Sequence, residues 1–469
     1  YEEANPVKVQ WFRSATVGVI SNSGSSVLCD PWITDGAFIG SWFHFPPLEG
    51  FEFDKLLSQK WDAVYISHLH ADHFDRKFLA ALSRAQPECI AVIPSFSHDW
   101  LRRAVENCGF SGSRLETVQS GESFMVGDIS ATVYVADHCD PSICGVTLPC
   151  HSRDPRLAAF DSIGLFEADG QSIVNANDAL AVASSANVLP RLGKVDLLLG
   201  HYGGAGPFPQ TFVDLTPEEK KRKGKILAEG FLSRLAGAAN TLRASYVMPF
   251  AGHYVLGGRL SDLNPFRSVV SLSAALEWMK NHSRSIPVAV SPFGFFDLDS
   301  GQVSDPWVEP SQSATADYIA RISHNVFPYE KSKARWESAE EDLGEALKAV
   351  GAEYERRIGL GQASTEYRIS IDTDRVSGWV DFTGEDTSVH VGDLEGLKEQ
   401  ETRLTCHPNL LKGLITRAPG FTGFTPMHFN QAEIGSHFEW RRRGDFNEVV
   451  RCLNFLQVTS RKNLHLLPA

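Results

Sequence analysis

Alternation of apolar and polar side chains dominates the first thirty residues. The runs "VKVQWF", "ATVGVIS" and "SSVLCDPW" switch face at each step, and Asn22-Ser23-Gly24 supplies turn chemistry between the second and third. They predict a β-meander. Further on, β-branched runs alternate with stretches of helical period: "DAVYIS", "KFLAALSRA", "CIAVIPS", "HDWLRRAVENCG", "ISATVYVADH", "GQSIVNAND", "KVDLLLGHY", "EKKRKGKILAEGFLSRLAGAANTL" and "ASYVMPFAGHY". Strands first, then strand and helix in turn, predict an α/β protein whose sheets lie between helices.

Between about 311 and 361 the pattern turns helical and charged, with Leu343, Leu347, Val350 and Tyr354 at helical spacing on a core-facing helix. After the Gly-Gln-Ala-Ser break at Gly361, strand patterns return ("EYRISIDT", "GWVDFTG", "SVHVGD"), and a helical "FNEVVRCLNFLQV" lies near the end. The expected division is therefore a main domain over 1–310, a helical connector over 311–361 and a small α+β appendage over 362–469. A chain of 469 residues with 43% apolar content can bury cores for both units.

Charge narrows the function. With 44 basic and 57 acidic residues the formal net charge is −13, which argues against a nucleic-acid binder, since phosphate neutralisation needs a basic surface. The one basic knot, "EEKKRKGK", follows "LTP" and fits a solvated helix start. Eight scattered cysteines without a CxxC pair favour a reducing, cytoplasmic setting. No apolar run of about 18 residues predicts a membrane span. No charged-then-apolar leader is visible, although the sequence opens on Tyr1 rather than Met.

The densest chemistry is "ISHLHADH", Ile66 to His73, at the end of an apolar strand-like run. Neutral imidazoles and carboxylates converging at about 2 Å suit a borderline divalent cation. In an extended segment His68 and His70 point to the same side, while Asp72 and His73, on the turn that follows, can face a second ion.

This His-x-His-x-Asp-His loop resembles that of the metallo-β-lactamase superfamily, and so does the early Asp-Pro-Trp that supplies Asp30. The resemblance implies an αββα sandwich holding one or two ions at the sheet edge. It also implies a later histidine, a bridging aspartate and a final histidine, each at a strand end. "TVYVADH" offers His138, "SIVNAND" offers Asp178 and "SYVMPFAGHY" offers His253. By that carry-over His68, His70 and His138 hold one ion, Asp72, His73 and His253 the other, and Asp178 bridges; Asp72 and His253 also take catalytic roles.

Alternatives stay open along the set. Asp137 and Asp140 flank His138, Asp178 also suits a turn or helix cap, and His201 in "LLLGHYGGAGPFP" competes with His253. With His253 as ligand, His201 and Tyr202 line the substrate site. Trp42 and His44, in the aromatic loop after Asp30, either grip substrate or pack the loop on the core. The segment "PMHFNQAEIGSHFEWRRR", with His428, Asn430, Glu433 and His437, reads as a packed, salt-bridged strand or as a flap over the site, and Arg441 to Arg443 as a solvated turn or as a contact for an anionic substrate group.

Within the superfamily the resemblance is to the branch containing CMP-N-acetylneuraminate hydroxylase, through "GHYGGAGPFP", "VMPFAGHY" and "HFNQAEIGSHFEW". It is looser to N-acyl-phosphatidylethanolamine phospholipase D and ascorbate-6-phosphate lactonase. A Rieske centre needs C-x-H and C-x-x-H pairs, and the sequence has neither: Cys150-His151 and Cys406-His407 are adjacent residues. The leading expectation is a dinuclear metal-dependent hydrolase acting on a small-molecule ester, amide, lactone or phosphoester through a metal-bound hydroxide. The alternative is a dinuclear iron oxygenase on the same ligands, fed by an external electron donor. Two divalent ions, zinc or iron, are implied either way.

Overall fold

The computed structural model describes residues 6–96, 99–135, 161–181, 185–333, 335–359, 366–382, 387–416 and 428–444. The predicted meander forms from the strands Lys8–Arg13, Thr16–Ile20 and Ser26–Cys29, paired antiparallel, with Gly24 at φ +91° in the tight turn. The parallel strands Ala63–Tyr65, Ile90–Pro94 and Leu115–Val118 extend it on one side, and Phe295–Asp297 and Gln302–Val303 complete the other edge of an eight-stranded sheet.

A second, seven-stranded sheet starts as the antiparallel Ser123–Val126, Ile129–Val135, Ser162–Ala168 and Gln171–Asn175. It continues as the parallel Leu197–His201, Tyr246–Phe250 and Ile286–Pro287. The run "LLLGH" is buried at every position, as a parallel strand covered on both faces must be.

The inner faces meet through Val17, Val19, Val27 and Tyr65 from one sheet and Val133, Phe166, Leu197 and Met248 from the other. Helix Arg76–Ala85 covers the outer face of the first sheet with Phe78, Leu79 and Leu82. Helix Pro217–Thr241 covers the second with Leu232, Leu235 and Ala239. The architecture is the expected αββα sandwich. Thr216 and Glu219 form a capping box at the start of the long helix, and Lys221, Arg222 and Lys225 are exposed, so the basic knot is a solvated helix start.

The C-terminal sheet runs in the order Ser388–Val391, Ser377–Asp381, Arg368–Asp372, Glu401–Thr405 and Glu439–Arg443. Helix Ala339–Gly359, expected in the connector, lies directly on this sheet. A side chain at Gly378 would come within 3.0 Å of Leu347 and 3.3 Å of Leu343. The same apolar cluster continues into Trp32, Phe38, Trp42 and Tyr254 of the sandwich, so the two units share a core.

The stretch expected as one strand divides into helix His428–Ile434 and strand Glu439–Arg443. Arg441, Arg442 and Arg443 pair with Arg403, Thr402 and Glu401 instead of forming a solvated turn. The helix expected within 446–458 lies outside the described residues. No described helix is long and apolar enough to cross a membrane.

Candidate metal centre

The loop that follows strand Ala63–Tyr65 is locked at both ends. Asp30, at φ +44° beyond the neighbouring strand, accepts from the Ser67 backbone N–H (2.7 Å), the Ser67 hydroxyl (2.8 Å) and His73 Nδ1 (3.1 Å). Asp75 then caps the next helix, accepting from the N–H groups of Lys77 (3.0 Å) and Phe78 (3.1 Å). Strand pairing and capping thus fix His68 to His73 with little freedom left.

Hydrogen-bond partners assign the imidazole protons. Asp30 and the Asn177 carbonyl only accept, so His73 and His201 carry their protons on Nδ1, the latter donating over 2.7 Å. His70 donates from Nε2 to Asn430 Oδ1 (2.9 Å). His68 Nδ1 donates to Ser67 Oγ (2.9 Å), whose own proton is committed to Asp30, and Asp161 Oδ1 lies 3.4 Å away.

The protein therefore holds one nitrogen of each ring, and the second nitrogens of His68, His70 and His73 turn toward one another and the neighbouring carboxylates. That division is how proteins orient imidazoles for a metal.

These second nitrogens converge. His68 Nε2 and His70 Nδ1 lie within hydrogen-bond distance of each other at 2.9 Å, a separation that two metal–nitrogen bonds of about 2 Å can also span. Donor atoms of His68, His70 and Asp178 all lie within 4.8 Å of one another. His73 Nε2 stands 3.6 Å from Asp72 Oδ2 and 3.7 Å from Asp178 Oδ1. Both His73 Nε2 and Asp72 Oδ1 are buried without a hydrogen-bond partner. Orphaned buried polar atoms are costly unless something else satisfies them, and a divalent cation fits this donor set.

The electrostatics agree. Burial pushes His68 well below its ordinary value, helped by His73 and His70, and pushes His70 down to about 4. Burial pushes Asp72 up to about 7, with His73 pulling the other way. Burial also raises Asp161, reinforced by Asp178. At Asp178 burial acts upward too, but His73, His201 and His68 outweigh it and hold the carboxyl below the usual range. Burial works against the charged form of His73, but Asp72 and Asp178 outweigh it and raise this imidazole well above its ordinary value, so in the metal-free site it supplies the positive charge that the crowded carboxylates need.

Asp178 sits in a short turn of 3₁₀ helix after strand Gln171–Asn175, with 28% of its side chain exposed, at the open side of the cluster. Of the two competing histidines, His201 is the one beside it, with Nδ1 4.0 Å from Asp178 Oδ1. The contacts of His253 point elsewhere: its ring stacks on Phe45 at 4.6 Å, and Tyr202 Oη lies 3.5 Å from its Nδ1. Burial, reinforced by Arg267, lowers His253 to about 3.

Trp42 and His44, considered for substrate contact, are 3% and 1% exposed. Trp42 stacks on Tyr254, while His44 is tied to Asp35 and the Trp32 carbonyl. Tyr202 is 2% exposed and packs among Leu235 and its neighbours. His138 lies outside the described residues.

Ser67 and Asp161 have supporting places at His68 that the sequence does not signal, because neither belongs to the spaced motif.

Residues 8–214 match the model of the Beta-lactamase superfamily domain. A protein of Mycolicibacterium smegmatis provisionally named a Rieske 2Fe-2S iron-sulfur protein is 28% identical over 352 residues, 71% of this chain and 63% of that one. Cytidine monophosphate-N-acetylneuraminic acid hydroxylase of Mus musculus is 28% identical over 234 residues, covering 48% of this chain and 36% of the relative. This chain thus spans less than two thirds of the length of these curated relatives. Among solved structures, CmlA, a diiron β-hydroxylase from Streptomyces venezuelae, superposes with a TM-score of 0.38 at 13% identity, over 62% of this chain and 54% of that one. The resemblance drawn from the His68–His73 loop is borne out by the family match, and the fold is the metallo-β-lactamase sandwich.

Proposed function

We propose that the chain is the metal-holding part of a dinuclear enzyme that hydroxylates a small molecule with dioxygen, using electrons from an external donor. The observation that carries the metal site is the convergence of His68, His70 and Asp178, whose ligand atoms all lie within 4.8 Å of one another. Sequence similarity to a named hydroxylase and to proteins with a Rieske name supports oxygen chemistry over hydrolysis.

His68, His70 and Asp178 would hold one ion, joined by His138 on the family pattern. Asp72, His73 and His201 would hold the other, with Asp178 shared. His201 takes the final place rather than His253 because it adjoins Asp178. Bound there, iron supplies dioxygen activation, whereas zinc would supply an activated water. The protein's own contribution is orientation: Ser67, Asp30, Asn430 and the Asn177 carbonyl each fix one nitrogen of His68, His73, His70 and His201 and so aim the rings.

Hydrolysis on the same ligands is the second reading. It is supported by the ligand set, since histidines and carboxylates hold zinc as well as iron. The test is metal content after expression with iron and zinc both available, together with optical spectra in air and under reductant. An iron chromophore that bleaches on reduction and returns with oxygen is expected. Zinc alone, with turnover of an ester, lactone or phosphodiester, would replace hydroxylation by hydrolysis.

A further inference from the structure

The geometry points to Asn430, from the C-terminal unit, as the positioning residue that fixes His70 for metal binding; this rests on the metal assignment above. Asn430 is 360 residues from His70 in sequence, yet its Oδ1 accepts the His70 Nε2 proton at 2.9 Å. An acceptor there keeps the proton off Nδ1, the nitrogen that faces His68 Nε2. If the amide were reversed, its NH₂ group would face Nε2 and drive the proton to Nδ1, closing that position to a cation. An amide also suits this place better than a carboxylate, because Asp30, Asp72, Asp161 and Asp178 already crowd the centre. A neutral acceptor orients the ring without a fifth negative charge.

The contact is built, not incidental to a surface. Phe429, 1% exposed, stacks on Phe438 at 4.9 Å, and Ala432 is fully buried, so the helix that carries Asn430 is held by the C-terminal core. His437 then pins that unit to the sandwich: Nε2 donates to the Phe38 carbonyl at 2.8 Å, and Nδ1 pairs with Tyr329 Oη at 2.9 Å. At Gly435 a side chain would lie 2.7 Å from the Phe38 carbonyl, so the approach requires glycine. The Phe38 ring in turn lies 6.1 Å from that of His70. The metal centre is thereby completed across two folding units, and the C-terminal unit acts on the chemistry through one side chain.

The experiment is zinc competition against a chromophoric chelator on the full-length wild type, Asn430→Ala and Asn430→Asp. It is paired with NMR detection of the His70 Nε2 proton in the zinc-loaded proteins. Asn430→Ala should weaken zinc binding about 10- to 100-fold and expose the Nε2 proton to fast exchange, while Asn430→Asp, which keeps an acceptor, should restore both.

Wild-type zinc affinity retained in Asn430→Ala would overturn the role of Asn430. No zinc binding by the wild type would instead overturn the metal assignment. Should Asn430→Ala fail to fold, Asn430→Asp decides: loss of the slowly exchanging Nε2 proton in that folded variant refutes the proposal.

Discussion

Replacing Asp30 by asparagine tests the hydrogen-bond frame that the metal assignment depends on. Asp30 is completely buried and receives three donors: the Ser67 N–H on one oxygen, and the Ser67 hydroxyl and His73 Nδ1 on the other. An amide of the same shape keeps one accepting oxygen. With that oxygen on the Ser67 N–H, the NH₂ group faces the Ser67 hydroxyl and His73 Nδ1. A hydroxyl can rotate to accept, but the imidazole must give up its Nδ1 proton. The proton moves to Nε2, the nitrogen that faces Asp72 and Asp178.

Metal affinity should therefore fall by about 10- to 100-fold, equivalent to about 1.4–2.7 kcal/mol. The metal-free protein should lose about 1.5–3 kcal/mol, the worth of one charge-assisted hydrogen bond. Chelator competition measures the first quantity, and urea unfolding of the metal-free protein measures the second. Unchanged affinity for both ions in a folded Asp30→Asn variant would refute the idea that Asp30 orients His73 for a ligand role.

Three further outcomes are expected. His201→Ala should lower the bound metal from two equivalents towards one, whereas His253→Ala should leave the stoichiometry intact; inductively coupled plasma analysis of dialysed protein distinguishes them. His437 should contribute a pH dependence of stability. Burial, partly opposed by the Phe38 carbonyl, lowers it from 6.5 to about 3, so its contribution is complete above about pH 6.5 and is lost as pH falls towards 3. Urea unfolding of His437→Gln between pH 6 and pH 4 should show a slope shallower than wild type by about 1.4 kcal/mol per pH unit, and equal slopes would contradict the assignment. Gly203→Ala should destabilise the fold by about 1–3 kcal/mol, because the added carbon would stand 2.5 Å from the Gly252 carbonyl oxygen; equilibrium unfolding checks it.

Local pattern carried the sandwich and the His68–His73 loop, because period and metal-ligand spacing are properties of neighbouring residues. Asp30 was legible for the same reason, as part of Asp-Pro-Trp after a strand. The choice between His201 and His253 was not, since each follows an apolar run. Tertiary register gives them different surroundings, the ground on which His201 is proposed as the ligand: His201 pairs with Phe250 as the last residue of its strand, beside the Asn177–Asp178 turn. His253 lies three residues beyond Phe250, past the left-handed Ala251 at φ +49° and the Gly252 contact with Tyr202, and ends against Phe45.

Asn430 was still less visible. Its meaning lies in a hydrogen bond across 360 residues, which exists only because the C-terminal sheet shares a core with the loop carrying Phe38 and Trp42. Side-chain chemistry along the chain determined which ligands were available. Packing between distant segments decided which atoms face one another, because a hydrogen bond or a metal bond reads distance in space and not in sequence.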